Sequence, residues 1–138
     1  MTAVDEGFGY GPRVGTDQAY ALHHVLLAIP PGGEEAARAF FLGVLGMTEV
    51  EKPAELAGRG GLWVRADGLE IHLGVERGFR PARKAHPGIR VADLDRLAAT
   101  LTANGVHVTW DEDTFPGHRR CYADDPHGNR LEFISPAR

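Results

Sequence analysis

Cysteine is all but missing. The 138 residues hold a single one, Cys121, which excludes an internal disulfide and any cysteine-based zinc site. Long hydrophobic runs are missing too. No stretch approaches the roughly 18 apolar residues of a membrane-spanning helix. An excess of positive charge is also lacking, with 15 Lys and Arg against 19 Asp and Glu for a net charge of −4. That balance excludes the basic face a nucleic-acid binder needs. Met1–Tyr20 is Gly-rich, carries acids early and has no apolar core segment, so it does not read as a secretory signal. It reads as an N-terminal arm over residues 1–20, with Phe8 and Tyr10 as its packing residues. No signal and a free cysteine together imply the cytoplasm, and Cys121 itself reads as a small buried residue in a strand.

What remains is the composition of one ordinary globular domain, 43% hydrophobic and 25% charged. A chain of this length buries roughly two-thirds of its unfolded surface, enough for a core without staples. Histidine is the abundant oddity, seven residues against two Trp and two Met. Its meaning depends on where the histidines fall.

The chain repeats itself. Ala21–Ile29 is an apolar strand closed by the Pro30-Pro31-Gly32-Gly33 breaker. Glu34–Leu45 has helical spacing in Ala36, Ala37, Phe40, Phe41, Val44 and Leu45, acids at its start and Gly46 as its stop. Three strand-like pieces follow, Met47–Glu51, Gly61–Ala66 and Leu69–Val75, with an Asp67-Gly68 hairpin turn between the last two. The same order returns. Ala85–Val91 is a strand, Asp93 caps a helix over Leu94–Ala103, and Asn104-Gly105 ends it. Val106–Trp110, Arg119–Ala123 and Asn129–Ile134 are again strands. Two β-α-β-β-β modules, 21–75 and 84–135, joined by a linker over 76–83, predict an α+β domain over 21–136. Each module is expected to carry its helix on the outer face of its sheet, leaving the inner faces to form a cleft.

Four metal-capable side chains occupy matching places in the two modules. His24 and His86 sit in the first strands, 62 residues apart, and His72 and Glu132 in the last strands, 60 apart. Strand alternation puts Ile71 and Leu73 on one face and His72 on the other, and likewise separates Leu131 and Phe133 from Glu132. All four candidates therefore point to the cleft. Imidazoles with one carboxylate suit a borderline divalent metal such as Zn, Ni, Co, Mn or Fe(II), and strand-borne ligands leave positions open for a substrate. The blander reading is unrelated polar residues on half-solvated strands.

Weaker signals surround these four. Arg80, Arg83 and Lys84 beside His86 are candidates for a substrate carboxylate or phosphate, or else form a solvated linker. Arg119 and Arg120 are expected to line the cleft mouth from one face of their strand. Trp63 and Tyr122 either stack on a substrate or belong to the core. Lys52–Gly60 is a candidate lid with Gly58 and Gly60 as hinges. His23 reads as edge packing and His127 as a turn residue.

Several motifs go further. His24-Val25-Leu26-Leu27-Ala28-Ile29, Ala39-Phe40-Phe41-Leu42-Gly43-Val44-Leu45-Gly46-Met47 and Asp124-Asp125-Pro126-His127-Gly128-Asn129-Arg130-Leu131-Glu132-Phe133 resemble the opening strand, helix end and closing hairpin of the vicinal oxygen chelate superfamily. That superfamily includes glyoxalase I, extradiol dioxygenases, methylmalonyl-CoA epimerase, fosfomycin-resistance thiol transferases and bleomycin-resistance proteins. The resemblance implies paired βαβββ modules around a divalent metal, with ligand positions at His24, His72, His86 and Glu132. His72 departs from the Glu or Gln usual in glyoxalase I. The set His24, His86 and Glu132 is similar to the fosfomycin-resistance and extradiol triads, which makes His72 either a fourth ligand or a nearby base. Glu132, with His72 second, is the candidate for proton abstraction.

The resemblance implies a metal-dependent lyase, isomerase or transferase acting on a small oxygenated or thiol-conjugated metabolite. The alternatives are an extradiol-type Fe(II) dioxygenase and a non-catalytic antibiotic-binding protein. It also implies a homodimer and a small-molecule substrate, while the charge balance and the lack of a long apolar run argue against nucleic acid and membrane as partners.

Overall fold

The computed structural model describes residues 18–138; the arm expected over residues 1–20, with Phe8 and Tyr10, lies outside the described residues except for its last three. The first half runs β1 (Val25–Ile29), α1 (Glu34–Arg38), β2 (Thr48–Val50), α2 (Ala54–Ala57), β3 (Leu62–Ala66) and β4 (Leu69–Val75). The second runs β5 (Gly88–Arg90), α3 (Leu94–Ala103), β6 (Thr109–Asp111), β7 (His118–Asp124) and β8 (Arg130–Pro136). They form two four-stranded sheets of the same plan, β1-β4-β3-β2 and β5-β8-β7-β6, each with a parallel pair made by its first and last strands. The architecture is α+β, as the repeat predicts.

Local chemistry explains most boundaries. Asp93 caps α3 by accepting from the Arg96 N–H at 3.0 Å, and Asp67, at φ 51°, turns β3 into β4. The helix expected over Glu34–Leu45 is α-helical only to Arg38 and then widens into a π-helical stretch, Ala39–Val44. There the Leu45 N–H reaches the Phe40 carbonyl at 2.9 Å, a five-residue step. The widening accompanies burial of both Phe40 and Phe41, adjacent residues that a regular helix would set 100° apart. The candidate lid contains α2, and its ends are held by Lys52 on the Gly60 carbonyl and by the Gly61 N–H on Glu34 at 2.9 Å.

One core serves both halves. Val64, Ile71 and Leu73 from the first sheet join Cys121, Leu131 and Phe133 from the second, with Phe41 and Leu101 from the helical segments. Cys121 is fully buried, and burial pushes its thiol up to about 11. The halves are also tied by polar contacts from the turn before β8. Asn129 Nδ2 donates to the Ala28 carbonyl, and His127 Nε2 to that of Gly33, both at 2.8 Å. His127 is thus a turn residue that reaches across to the other half. No helix among the described residues is long and apolar enough to cross a membrane.

Candidate functional site

The polar faces of the two sheets are related by register. In the first sheet Leu26 lies opposite His72, and Trp63 flanks His72 from β3. In the second Gly88 lies opposite Glu132, and Tyr122 flanks Glu132 from β7. His24 and His86 each stand two residues ahead of the residue facing the last-strand candidate. The four positions that match in sequence therefore match in register. Both strands begin later than expected, so His24 and His86 lie just ahead of β1 and β5 rather than within them.

In the first sheet His72 is buried, 7% exposed, and its imidazole is sandwiched. The Trp63 ring stacks on one face at 3.9 Å between centroids, and the His24 ring stacks at 4.0 Å. His72 Nε2 donates to Glu70 Oε2 at 2.7 Å, and Arg65 holds the other oxygen of that carboxylate at 2.7 Å. These two donors hold the Glu70 carboxyl down at about 2, His72 having the larger effect. His24 is exposed, with its Nδ1 2.9 Å from that of His23. Glu70 is the partner that sequence reasoning passed over. Its signal was the Glu-x-His spacing, which puts both side chains on one strand face.

In the second sheet His86 Nε2 lies 2.9 Å from Glu132 Oε1, while His86 Nδ1 donates to the Lys84 carbonyl at 2.7 Å. A carboxylate oxygen only accepts, so the contact is bridged either by a proton on Nε2 or by a bound cation, and both groups are of the kind that ligates one. Arg120 completes the group. It donates to Glu132 Oε2 at 3.4 Å and, more closely, to Asp111 Oδ2 at 2.9 Å. Thr114 and Arg120 hold the Asp111 carboxyl down at about 2.

The structure thus brings the four candidates together as two pairs, His24 with His72 and His86 with Glu132. Among the described residues no group of three His, Cys, Asp or Glu side chains gathers at one point. The donors suit a borderline divalent ion in kind, but each sheet offers only half a set. Trp63 and Tyr122 lie on the site faces rather than in the core. Arg119 and Arg120 do not share a face, contrary to expectation, because adjacent strand residues alternate. Arg120 faces Glu132, while Arg119 pairs with Asp95 at 2.9 Å and Glu112 at 2.7 Å.

Comparison with known proteins follows this geometry. The family model described as Glyoxalase/Bleomycin resistance protein/Dioxygenase superfamily matches residues 21–133. No curated protein matches the chain. Among solved structures, a glyoxalase family protein from Bacillus anthracis is 41% identical, with a TM-score of 0.84 over 88% of this chain and 99% of its own. TnmS3, an antibiotic binding protein from Streptomyces sp. CB03234, is 26% identical, with a TM-score of 0.62 over 86% of this chain and 99% of its own. A glyoxalase family protein from Enterococcus faecalis shares the fold at 20% identity, with a TM-score of 0.67 over 83% of this chain and 96% of its own.

Proposed function

The chain belongs to the glyoxalase/bleomycin resistance protein/dioxygenase superfamily, and from that premise we propose that it is a divalent-metal-dependent enzyme of the glyoxalase type. Its reaction is that of a lyase, isomerase or transferase on a small oxygenated or thiol-conjugated metabolite. The observation that carries this reading is the close approach of His86 Nε2 to Glu132 Oε1 at 2.9 Å while His86 Nδ1 is committed to a backbone carbonyl. A ligating histidine commonly has its far nitrogen fixed in this way.

His24, His86 and Glu132 would hold the ion. Because each sheet carries half of the set, the reading includes a homodimer in which the first sheet of one copy faces the second sheet of the other. When bound, the ion supplies Lewis-acid stabilisation of an oxyanion on two neighbouring substrate oxygens. His72 is the proton-transfer group, since Glu70 orients it through Nε2 and leaves Nδ1 with no recorded partner among the described residues. Trp63 covers one face of that imidazole and keeps water from it. Arg120 orients Glu132 by holding the oxygen that His86 does not use.

Elemental analysis of the purified protein tests this. The expected result is about one divalent ion per chain in the parent, from three or four ligands per site, and its loss in His86→Ala and Glu132→Ala. Equal metal in parent and variants overturns the reading. A second reading, a non-catalytic antibiotic-type binder, is favoured by the Trp63–His72–His24 stack, a flat aromatic surface, and by the likeness to TnmS3. It is preferred if the parent holds no divalent ion after loading yet binds planar ligands in a Trp63-dependent way.

A further inference from the structure

Two arginines on the site faces are neutralised. Arg65 holds Glu70, and Arg120 holds Asp111 and Glu132. Arg130 is different. It stands two residues before Glu132 on β8, is half-buried, and makes no ion pair among the described residues. Its guanidinium carbon lies 4.4 Å from the centre of the Tyr122 ring, and that ring meets the His86 imidazole edge-on at 5.6 Å. Tyr122 therefore fixes a guanidinium beside the His86–Glu132 pair without supplying a counter-charge.

A cavity of about 380 Å³ opens there. Its walls are the outer edge of β1, the linker through Arg80, the His86 side chain and Arg130 with Asn129. Arg80 also lacks a carboxylate partner among the described residues, as do Arg83 and Lys84 just ahead of His86. Two nearby acids are already engaged, and Asp124, across from Arg130 in the β7–β8 register, is exposed and makes no ion pair with it. Asp125 accepts from the His127 and Asn129 amides at 2.9 and 2.8 Å, and Glu132 holds His86 and Arg120. In a protein of net charge −4, two unneutralised guanidinium groups on one cavity leave it short of an anion. Arginine's planar fork matches a carboxylate or phosphoryl group with two parallel hydrogen bonds.

We propose that this cavity seats an oxyanionic group of the substrate, a carboxylate or a phosphoryl group, gripped by Arg130 and Arg80 beside His86. The inference names the substrate class of the site and rests on its small-molecule reading, but the anion seat does not require the metal. It makes the substrate a small acid, with the reacting oxygens at the His86–Glu132 end and the anionic end at Arg130.

Calorimetric and thermal-melt titrations of the full-length protein with inorganic phosphate and with acetate, each against sodium chloride at equal ionic strength, test it. One of the two anions should bind saturably and raise the Tm, and which one does so separates phosphoryl from carboxylate. Arg130→Gln should weaken that anion about tenfold or more. Arg80→Gln should weaken it less, and Arg130→Lys should fall between parent and Arg130→Gln because a point charge lacks the fork. Arg96→Gln, on the exposed side of α3, should change nothing. The proposal is overturned if neither anion exceeds the chloride control, or if Arg130→Gln and Arg96→Gln behave alike. Metal content of the same samples keeps the two readings apart. An Arg130→Gln protein that loses the anion and keeps its metal supports the seat, and one that loses both overturns it. A parent that holds no metal but binds the anion through Arg130 leaves the seat standing and removes the enzyme.

Discussion

Glu132 is 7% exposed, yet both of its oxygens are engaged, by His86 and by Arg120. A carboxylate this far out of water persists only with such partners. An exposed carboxylate on the other side of the sheet is also held ionised by its partners. Asp95 is held by Arg119 first and Arg138 second, which lowers its carboxyl from the ordinary 3.8 to about 2. A carboxyl lowered by folding stabilises the fold above its unfolded value and loses that contribution as pH falls through the folded one. Thermal melts from pH 5 down to about 2 should therefore show a steeper loss of Tm in the parent than in Asp95→Asn; parallel profiles would show that the ion pair contributes nothing. The sequence made the four ligand candidates legible, because spacing and alternation are properties of single strands. It did not reveal that Arg120 is neutralised and Arg130 is not. Both are arginines on β-strands beside Glu132, each with an aspartate across from it, but Arg120 pairs with Asp111 whereas Arg130 lies on the Tyr122 ring and makes no ion pair with Asp124.

At the scale of elements, α3 appears over the residues its pattern predicts, because cap, apolar stripe and stop signal agree. The first helix does not, because two adjacent phenylalanines compete for one core and the backbone widens to bury both. The first strands of each half are shorter than their apolar runs, since each lies at a sheet edge with one neighbour. Gly61 marks the tightest junction. It has φ 78°, and a Cβ there would sit 2.1 Å from the Leu73 carbonyl oxygen. Its N–H also binds Glu34, tying β3 to the start of α1. Gly61→Ala should destabilise the protein by about 1–3 kcal/mol through the positive φ and the displaced strand, measured by urea unfolding. Gly58→Ala, three residues away and with open space around it, should stay within about 0.5 kcal/mol of the parent.

At the scale of the molecule, the repeat was legible but the meeting of its halves was not. Alternation tells which face of a strand a histidine occupies, not which other face it will meet. Within the described chain both apolar faces join one core, and the polar faces carry two donors each. The first of these faces is bordered by exposed apolar residues on either side of His24, Leu22 at 77% ahead of β1 and Leu26 at 60% on that edge strand. A closed two-fold pairing of first sheet on second sheet would cover them and complete two identical sites, each with His24 from one copy and Glu132 from the other. This arrangement makes a prediction that no single-chain site makes. His24→Ala and Glu132→Ala homodimers should each bind little metal, because every site in them lacks one ligand. Mixed, unfolded and refolded together, half of the dimers should be heterodimers, in which one site has lost both ligands and the other has lost neither. Metal binding should then recover to about a quarter of the parental sites, read by elemental analysis after gel filtration. No recovery on mixing, with parental metal intact and exchange between copies verified, would place each site within one chain.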